Sequence, residues 1–155
     1  MLKDKVQELL DSAFEERSDL FLIDFKIGSA NDIHVTIDGD EGVKLADCMF
    51  VSRAVEHNLD REEIDFSIEV TSSGASAPLE RPRQYYKHVG RTLEIEDLDG
   101  RVEKGELGRV QEEGIALSWK AREPKPIGKG KVTVEKNWEL NFDQIKKAKV
   151  IITFN

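Results

Sequence analysis

The apolar positions of the first seventy residues change period several times along the chain. Over residues 2–17 they recur every three or four positions, which predicts an amphipathic helix. Over residues 21–27 and 33–37 they recur at every second position, and this alternation predicts two strands joined as a hairpin. Residues 44–58 return to the helical period, and residues 66–70 alternate again. One face of the first strand is expected to carry Phe21, Ile23, Phe25 and Ile27.

The predicted order of this first half is therefore αββαβ. A three-stranded sheet with both helices on one face would bury every apolar stripe named above. The fold class expected for the whole chain is α+β, with an N-terminal αββαβ domain at residues 1–76 and a second, smaller domain at residues 77–155.

The second half has a different pattern of short alternating runs and frequent glycine. A brief helical piece is expected at residues 83–89, followed by strands near residues 93–95, 102–110, 115–119, 134–140 and 150–154. A single helical turn is expected at residues 142–148. Five short strands with interior glycines, where a strand must bend sharply, favour a small closed five-stranded β-barrel.

A run of small residues, "TSSGASAP", separates the two halves. It follows an alternating strand and precedes a proline, so it contains few side chains that would oppose a turn of the backbone. We interpret it as the domain junction, with Ser72, Ser73, Gly74, Pro78 and Leu79 as its residues.

Charge divides along the same boundary. The formal net charge is -8, which argues against a general nucleic-acid coat protein. Residues 1–75 contain 7 basic and 18 acidic side chains, whereas residues 76–155 contain 16 basic and 13 acidic ones. The two halves are expected to face different partners, or else both faces are simply solvated.

Several classes of protein are not expected from this sequence. The single cysteine, Cys48, forms no internal disulfide, and the N-terminus lacks the pattern of a signal peptide, so we expect a cytoplasmic protein. No apolar run approaches the roughly 20 residues that cross a bilayer, so no membrane partner is expected. We expect a monomer.

The motifs of catalysis are also missing. No G-x-S-x-G elbow and no G-x-x-x-x-G-K-[ST] phosphate loop occurs, and the histidines and Cys48 show no paired metal-ligand spacing. Cys48 falls on an apolar helical stripe, where an inert buried thiol is favoured over a nucleophile. We expect no catalytic residue, no metal and no cofactor.

Two basic clusters remain as candidate contacts for phosphate or a partner protein. The first comprises Arg81, Arg83, Lys87 and Arg91. The second is a predicted loop over residues 120–131, with Lys120, Arg122, Lys125, Lys129 and Lys131. Such a loop is either a flexible solvated connection or a contact for phosphate or a partner protein. Lys146, Lys147 and Lys149 would extend the basic surface.

Three stretches of the sequence resemble the bacterial ribosome maturation factor RimP family. They are "VTIDGDEGVKLADCMFVSRAVE", "FSIEVTSSGASAPLERPRQYYKHVGRTLEI" and "FDQIKKAKVIITF". The resemblance covers nearly the whole chain, and it implies an αββαβ domain followed by a Sm-like or SH3-like barrel. It further implies a non-catalytic assembly factor that binds the immature small (30S) ribosomal subunit, meaning its rRNA and a decoding-centre ribosomal protein, and assists that protein's incorporation.

The sequence departs from the family pattern at the junction. Gly74 stands where the family usually has proline, and Ala77 stands where it has a basic residue before Pro-Leu. A contact made by that cation in relatives is therefore absent here or is supplied by Arg81 or Arg83.

Two functions remain open at this point. The first is a ribosome assembly factor with a basic C-terminal contact surface. The second is a stand-alone single-stranded RNA-binding module that stacks bases on aromatic residues such as Tyr85, Tyr86 or Trp119.

Overall fold

The computed structural model describes residues 2–74 and 77–152 of the chain. The chain divides into two compact units, Met1–Gly74 and Ala75–Asn155. The fold is α+β, with one three-stranded and one five-stranded sheet. The predicted boundary between residues 76 and 77 adjoins residues 75 and 76, which lie outside the described residues, and it stays a prediction.

The first unit has the predicted αββαβ order. Its elements are α1 (Leu2–Glu16), β1 (Leu20–Ile27), β2 (Asp32–Gly39), α2 (Leu45–Glu56) and β3 (Ser67–Ser72). Strands β1 and β2 form an antiparallel hairpin, and β3 pairs in parallel with the other side of β2. A parallel pair needs a long crossover, and α2 supplies it.

The central strand β2 sets the buried face of this unit. Ile33, Val35 and Ile37 are at most 1% exposed, whereas His34 between them is exposed. Both helices pack against the buried side, α1 through Val6 and Leu10 and α2 through Val51 and Val55. The opposite face of the sheet carries the intervening polar residues.

The prediction for the faces of β1 was wrong, because a bulge interrupts the alternation. The register with β2 shifts between Leu22 and Asp24, so Ile23 is an extra residue. Leu22 lies opposite Ile37, whereas Phe25, beyond the bulge, lies opposite Val35. Leu22 and Phe25 therefore share the helix-covered face, and Phe21, opposite Asp38, does not. Simple alternation had grouped Phe21 with Phe25.

The start of α2 is stabilised by a carboxylate that the sequence had placed in the first turn. One Asp47 oxygen accepts a 2.8 Å hydrogen bond from the Lys44 backbone N–H, and the other lies 2.9 Å from Arg17. Arg17 also pairs with Asp19 at 3.0 Å. The Lys44 amide, followed by Arg17, lowers the pKa of Asp47. This network joins the end of α1 to the start of α2.

The second unit is built from a short 3₁₀ helix, Pro82–His88, and five strands. These are β4 (Thr92–Asp97), β5 (Val102–Val110), β6 (Gly114–Pro124), β7 (Lys131–Asn141) and β8 (Ile145–Val150). All neighbouring strands pair antiparallel, in the order β7-β6-β5-β4-β8. The core contains Leu93, Ile95, Leu107 and Leu117, with Tyr85 from the 3₁₀ helix packed against it.

The predicted closed barrel was wrong, since the described strands form an open sheet with β7 and β8 at its edges. Closure would require β7 to pair with β8. Part of the β8 backbone instead accepts a hydrogen bond from another segment, because the Leu79 N–H donates to the Ala148 carbonyl at 2.7 Å. The sheet is nonetheless strongly bent. The Arg101 guanidinium, which immediately precedes β5 and is six residues from Leu107, lies 4.3 Å from the Trp138 ring centre on β7.

Two element boundaries also differ from the prediction. The helical turn expected at residues 142–148 is a 3₁₀ turn at Phe142–Gln144 only, and β8 follows at once. The strand expected at residues 150–154 therefore lies earlier, at Ile145–Val150, and residues 153 and 154 lie outside the described residues.

A matched pair of strand glycines tests the packing of this sheet. We expect Gly114→Ala to lower the free energy of unfolding by roughly 1–3 kcal/mol, since the added methyl group would collide with the Leu140 carbonyl oxygen on β7. Gly108→Ala is the control, because its nearest atom would be the Ala116 oxygen at 3.9 Å, and it should change stability by less than about 1 kcal/mol. Urea unfolding followed by tryptophan fluorescence measures both, since both tryptophans lie in this unit. Equal stability of the two variants would contradict the close approach of β6 and β7.

Candidate interaction surfaces

Strands β6 and β7 extend beyond the buried core as a two-stranded ribbon. Their register continues to the pair Pro124–Lys131, so half of the loop predicted at residues 120–131 is strand. Only residues 125–130 form the turn. The last buried residue of β6 is Leu117, and all side chains from 124 to 133 are exposed.

The two faces of this ribbon differ in chemistry. Directly opposed residues share a face, so Lys120, Arg122 and Lys131 lie on one side together with Glu135 and Thr133. Ala121, Val132 and Val134 lie on the other, where Lys136 forms an ion pair with Glu123. The Arg122 guanidinium donates to Thr133 Oγ1 at 3.2 Å, which holds it along the basic face.

The tip of the ribbon is shaped by glycine and carries two more cations. Gly128 and Gly130 have φ of 89° and 97°, values that L side chains rarely adopt. The Lys125 N–H donates to the Gly130 carbonyl at 3.1 Å and closes the turn. Lys125 and Lys129 are exposed beside Ile127, which is 90% exposed. The five cations predicted for this region therefore belong to one continuous projection.

The residues of the other basic cluster lie on and around the 3₁₀ helix. Arg81 precedes it, Arg83 and Lys87 lie within it, and Arg91 follows it. The three arginines are exposed and Lys87 is half-buried. The Arg91 backbone is held against β5, because its carbonyl accepts a 2.9 Å hydrogen bond from the Leu107 N–H.

The aromatic residues proposed as stacking platforms occupy three environments. Tyr85 is 4% exposed and packs against Phe142 with ring centroids 5.2 Å apart, so its ring is not open to a base. Trp119 is half-buried against the core. Tyr86 is 53% exposed, and it is the member of this set with an accessible ring.

An open groove of about 500 Å³ lies beside β8 in the second unit. Residues Leu79, Glu80 and Arg81 line one side, and Lys146 and Lys147 line the other. The sequence predicts that these two lysines extend the basic surface of the loop at residues 120–131 and that they lie in a helical turn. The strand β8 instead brings them to Arg81, and only the pairing of the Leu79 backbone with β8 reveals this.

The predicted junction residues are divided between the two units. Ser72 ends β3, and the Ser73 N–H donates to the Ile37 carbonyl at 2.9 Å. Gly74 is the last described residue before the gap. Pro78 and Leu79 belong to the second unit, where both line the groove.

The chemistry of Cys48 is that of a structural thiol. It is half-buried, and burial, followed by the charge of Asp47, raises the pKa of the thiol, which reduces the reactive thiolate. Within residues 2–74 and 77–152, no group of three or more His, Cys, Asp or Glu side chains is arranged so that it could hold a metal ion. Over the same residues, no helix has the length and apolar character needed to span a membrane.

Comparisons of this sequence with a family model and with known proteins point to the same family. Residues 9–76 match the model of the RimP N-terminal domain. A protein of Christiangramia forsetii named ribosome maturation factor RimP is 56% identical over 154 residues, covering 99% of this chain and 100% of that protein. Proteins of the same name from Flavobacterium psychrophilum and Cytophaga hutchinsonii are 48% and 31% identical, over 98% and 97% of this chain and 98% and 96% of their own lengths.

The buried tyrosine beneath the groove gives a pH dependence that can be measured. Burial raises the pKa of Tyr85 from 10.0 to about 12. Between these values the unfolded chain has released the tyrosine proton while the folded chain retains it, so raising the pH favours unfolding. We expect stability to fall above pH 10 by on the order of 2 kcal/mol more in the wild type than in Tyr85→Phe, measured by urea unfolding. Tyr86→Phe is the matched control and should keep the wild-type decline, whereas a Tyr85→Phe profile identical to the wild type would contradict the assignment.

Proposed function

The chain belongs to the ribosome maturation factor RimP family, and from this membership we propose that it assists maturation of the small (30S) ribosomal subunit by binding the immature particle. The observation that carries the proposal is the 56% identity to a protein of that name over the full length of both chains. A role in ribosome maturation follows from the family, and its assignment to the small subunit is the finer step that we propose. The expected cytoplasmic location agrees with such a role.

The proposed mechanism is non-covalent. A factor that binds one arrangement of an assembling particle more tightly than another shifts the population toward that arrangement. Such a factor needs contact surfaces and no catalytic groups.

We assign the particle contact to the second unit. Its sequence contains more basic than acidic residues, in contrast to the first, and the basic face of its ribbon projects beyond the core. Contacts with rRNA or with a decoding-centre ribosomal protein would use Lys120, Arg122, Lys125, Lys129 and Lys131, with Arg81, Arg83, Lys87 and Arg91 as the further contact surface. The acidic first unit would limit nonspecific adhesion to RNA. We propose that the chain acts as a monomer and without a cofactor.

Sedimentation of extract from growing cells tests the proposed function. The protein should co-migrate with small-subunit precursors and be absent from mature subunits. Filter binding at two salt concentrations compares the affinity for naked single-stranded RNA with the affinity for subunit precursors. The alternative, an independent RNA-binding module, would bind naked RNA at least as tightly as the precursors and lose affinity steeply with salt, whereas the assembly factor should prefer the precursors. A protein that sediments only with free proteins, and binds naked RNA tightly, would overturn the assembly role in favour of that alternative.

Charge reversal at the ribbon tests the assigned contact. We expect the triple variant Lys125→Glu, Lys129→Glu and Lys131→Glu to lose at least about tenfold in affinity for subunit precursors, because attraction to phosphate becomes repulsion. All three residues are exposed, so the variant should unfold at the wild-type urea concentration.

The matched control makes the same change of net charge in the acidic unit. This control variant also replaces three exposed lysines, by Lys3→Glu, Lys5→Glu and Lys26→Glu. It should retain most of the wild-type affinity for subunit precursors. An equal loss in both variants would show that net charge alone governs association, and unchanged association of the ribbon variant would remove the ribbon from the interface.

A further inference from the structure

The groove beside β8 has one side that is fixed by buried hydrogen bonds. The Gln84 side chain, 1% exposed, accepts hydrogen bonds from the Glu80 and Arg81 backbone N–H groups at 2.7 and 2.9 Å. The Leu79 backbone N–H donates a 2.7 Å hydrogen bond to the Ala148 carbonyl. The backbone that carries Arg81 is therefore preorganised along the groove.

The opposite side is the first half of β8. The register between β4 and β8 shifts between Glu96 and Asp97, and this leaves Lys146 as an extra residue beside Lys147. Lys146 is 3.7 Å from Glu96, a weak and exposed pair. Lys147 forms no ion pair with any residue of the described ranges. The bulge thus directs two neighbouring lysines of one strand to the same groove.

The floor between the two sides is apolar. Phe142 and Ile145, both half-buried, line it together with Tyr85. The groove thus combines an apolar floor with three cations, against the single carboxylate of Glu80. Its volume of about 500 Å³ lies within the range of about 300 to 1,000 Å³ typical of pockets for small ligands.

We propose that this groove is a binding site for single-stranded RNA, which places a phosphate between Arg81 and Lys147 and a ribose or base on the Phe142–Ile145 floor. This proposal rests on the proposed function, because the choice of RNA as the bound polyanion follows from a role in ribosome maturation.

Single-stranded RNA fits this site better than an acidic peptide does. A nucleotide presents a phosphate and an apolar ring face together, which matches cations placed around an aromatic and aliphatic floor. An acidic side chain presents a carboxylate on a short stem and would leave the floor exposed to water.

The test is a titration of the full-length protein with a short, fluorescently labelled oligouridylate at several salt concentrations. The double variant Lys146→Ala and Lys147→Ala removes two exposed cations. We expect it to weaken binding by at least about tenfold at low salt and to lower the slope of log affinity against log salt by about 1.4. Glu80→Gln removes the carboxylate found among the described residues that line the groove, and it should strengthen binding because its repulsion of phosphate is lost.

The matched control is Lys3→Ala and Lys5→Ala, which removes the same charge from α1 and should bind as the wild type does. Unchanged affinity and slope in the groove variant, or an equal loss in the control, would overturn the proposal. Stronger competition by oligoglutamate than by unlabelled oligouridylate would overturn it in favour of an acidic peptide. The titration needs no ribosomal particle, so its failure is distinct from an absence of the protein from subunit precursors, which would contradict the proposed function instead.

Discussion

Each of the two sheets has one apolar face, and each face must be covered within its own small unit. In the first unit Ile33, Val35 and Ile37 are sealed by two helices, since three strands alone cannot exclude water from a face. In the second unit the bend of five strands encloses Leu93, Ile95 and Leu107, and Tyr85 packs against them. The cations of every surface proposed for binding lie outside the two cores that this requirement creates.

The same requirement explains where the basic residues project. Strands β6 and β7 are longer than the core that they help to form, so their backbones satisfy each other while their side chains remain in water. A paired ribbon holds cations more rigidly than a free loop, which lowers the conformational entropy that binding must overcome. The tip glycines close this ribbon without strain, and the charge is thereby presented away from the body of its sheet.

The edge strand β8 has a different role, because it forms one side of the proposed groove. An open sheet leaves unpaired backbone groups at its edges. One such group, the Ala148 carbonyl, accepts a hydrogen bond from the backbone N–H of Leu79, at the start of the second unit. That contact brings Arg81 to the lysines of β8. This hydrogen bond at the open edge of the sheet thus also brings together the two sides of the proposed groove.

The periods of apolar residues determined the αββαβ order and the strands β4, β5 and β7, because these periods are local properties of the chain. The residue composition of each half determined the division of charge. The family resemblance rested on local strings as well. The bulge at Ile23, the open edge at β8 and the extent of β6 depend on hydrogen bonds between distant residues, which no local period records. For the same reason the sequence identified the cations Arg81, Lys120 and Lys125, while only the tertiary structure decided which cations share a surface. Pairing between backbone segments far apart in the chain brings Lys147 to Arg81. Pairing of β6 with β7 places Lys120 and Arg122 on the face of the ribbon opposite its apolar side chains.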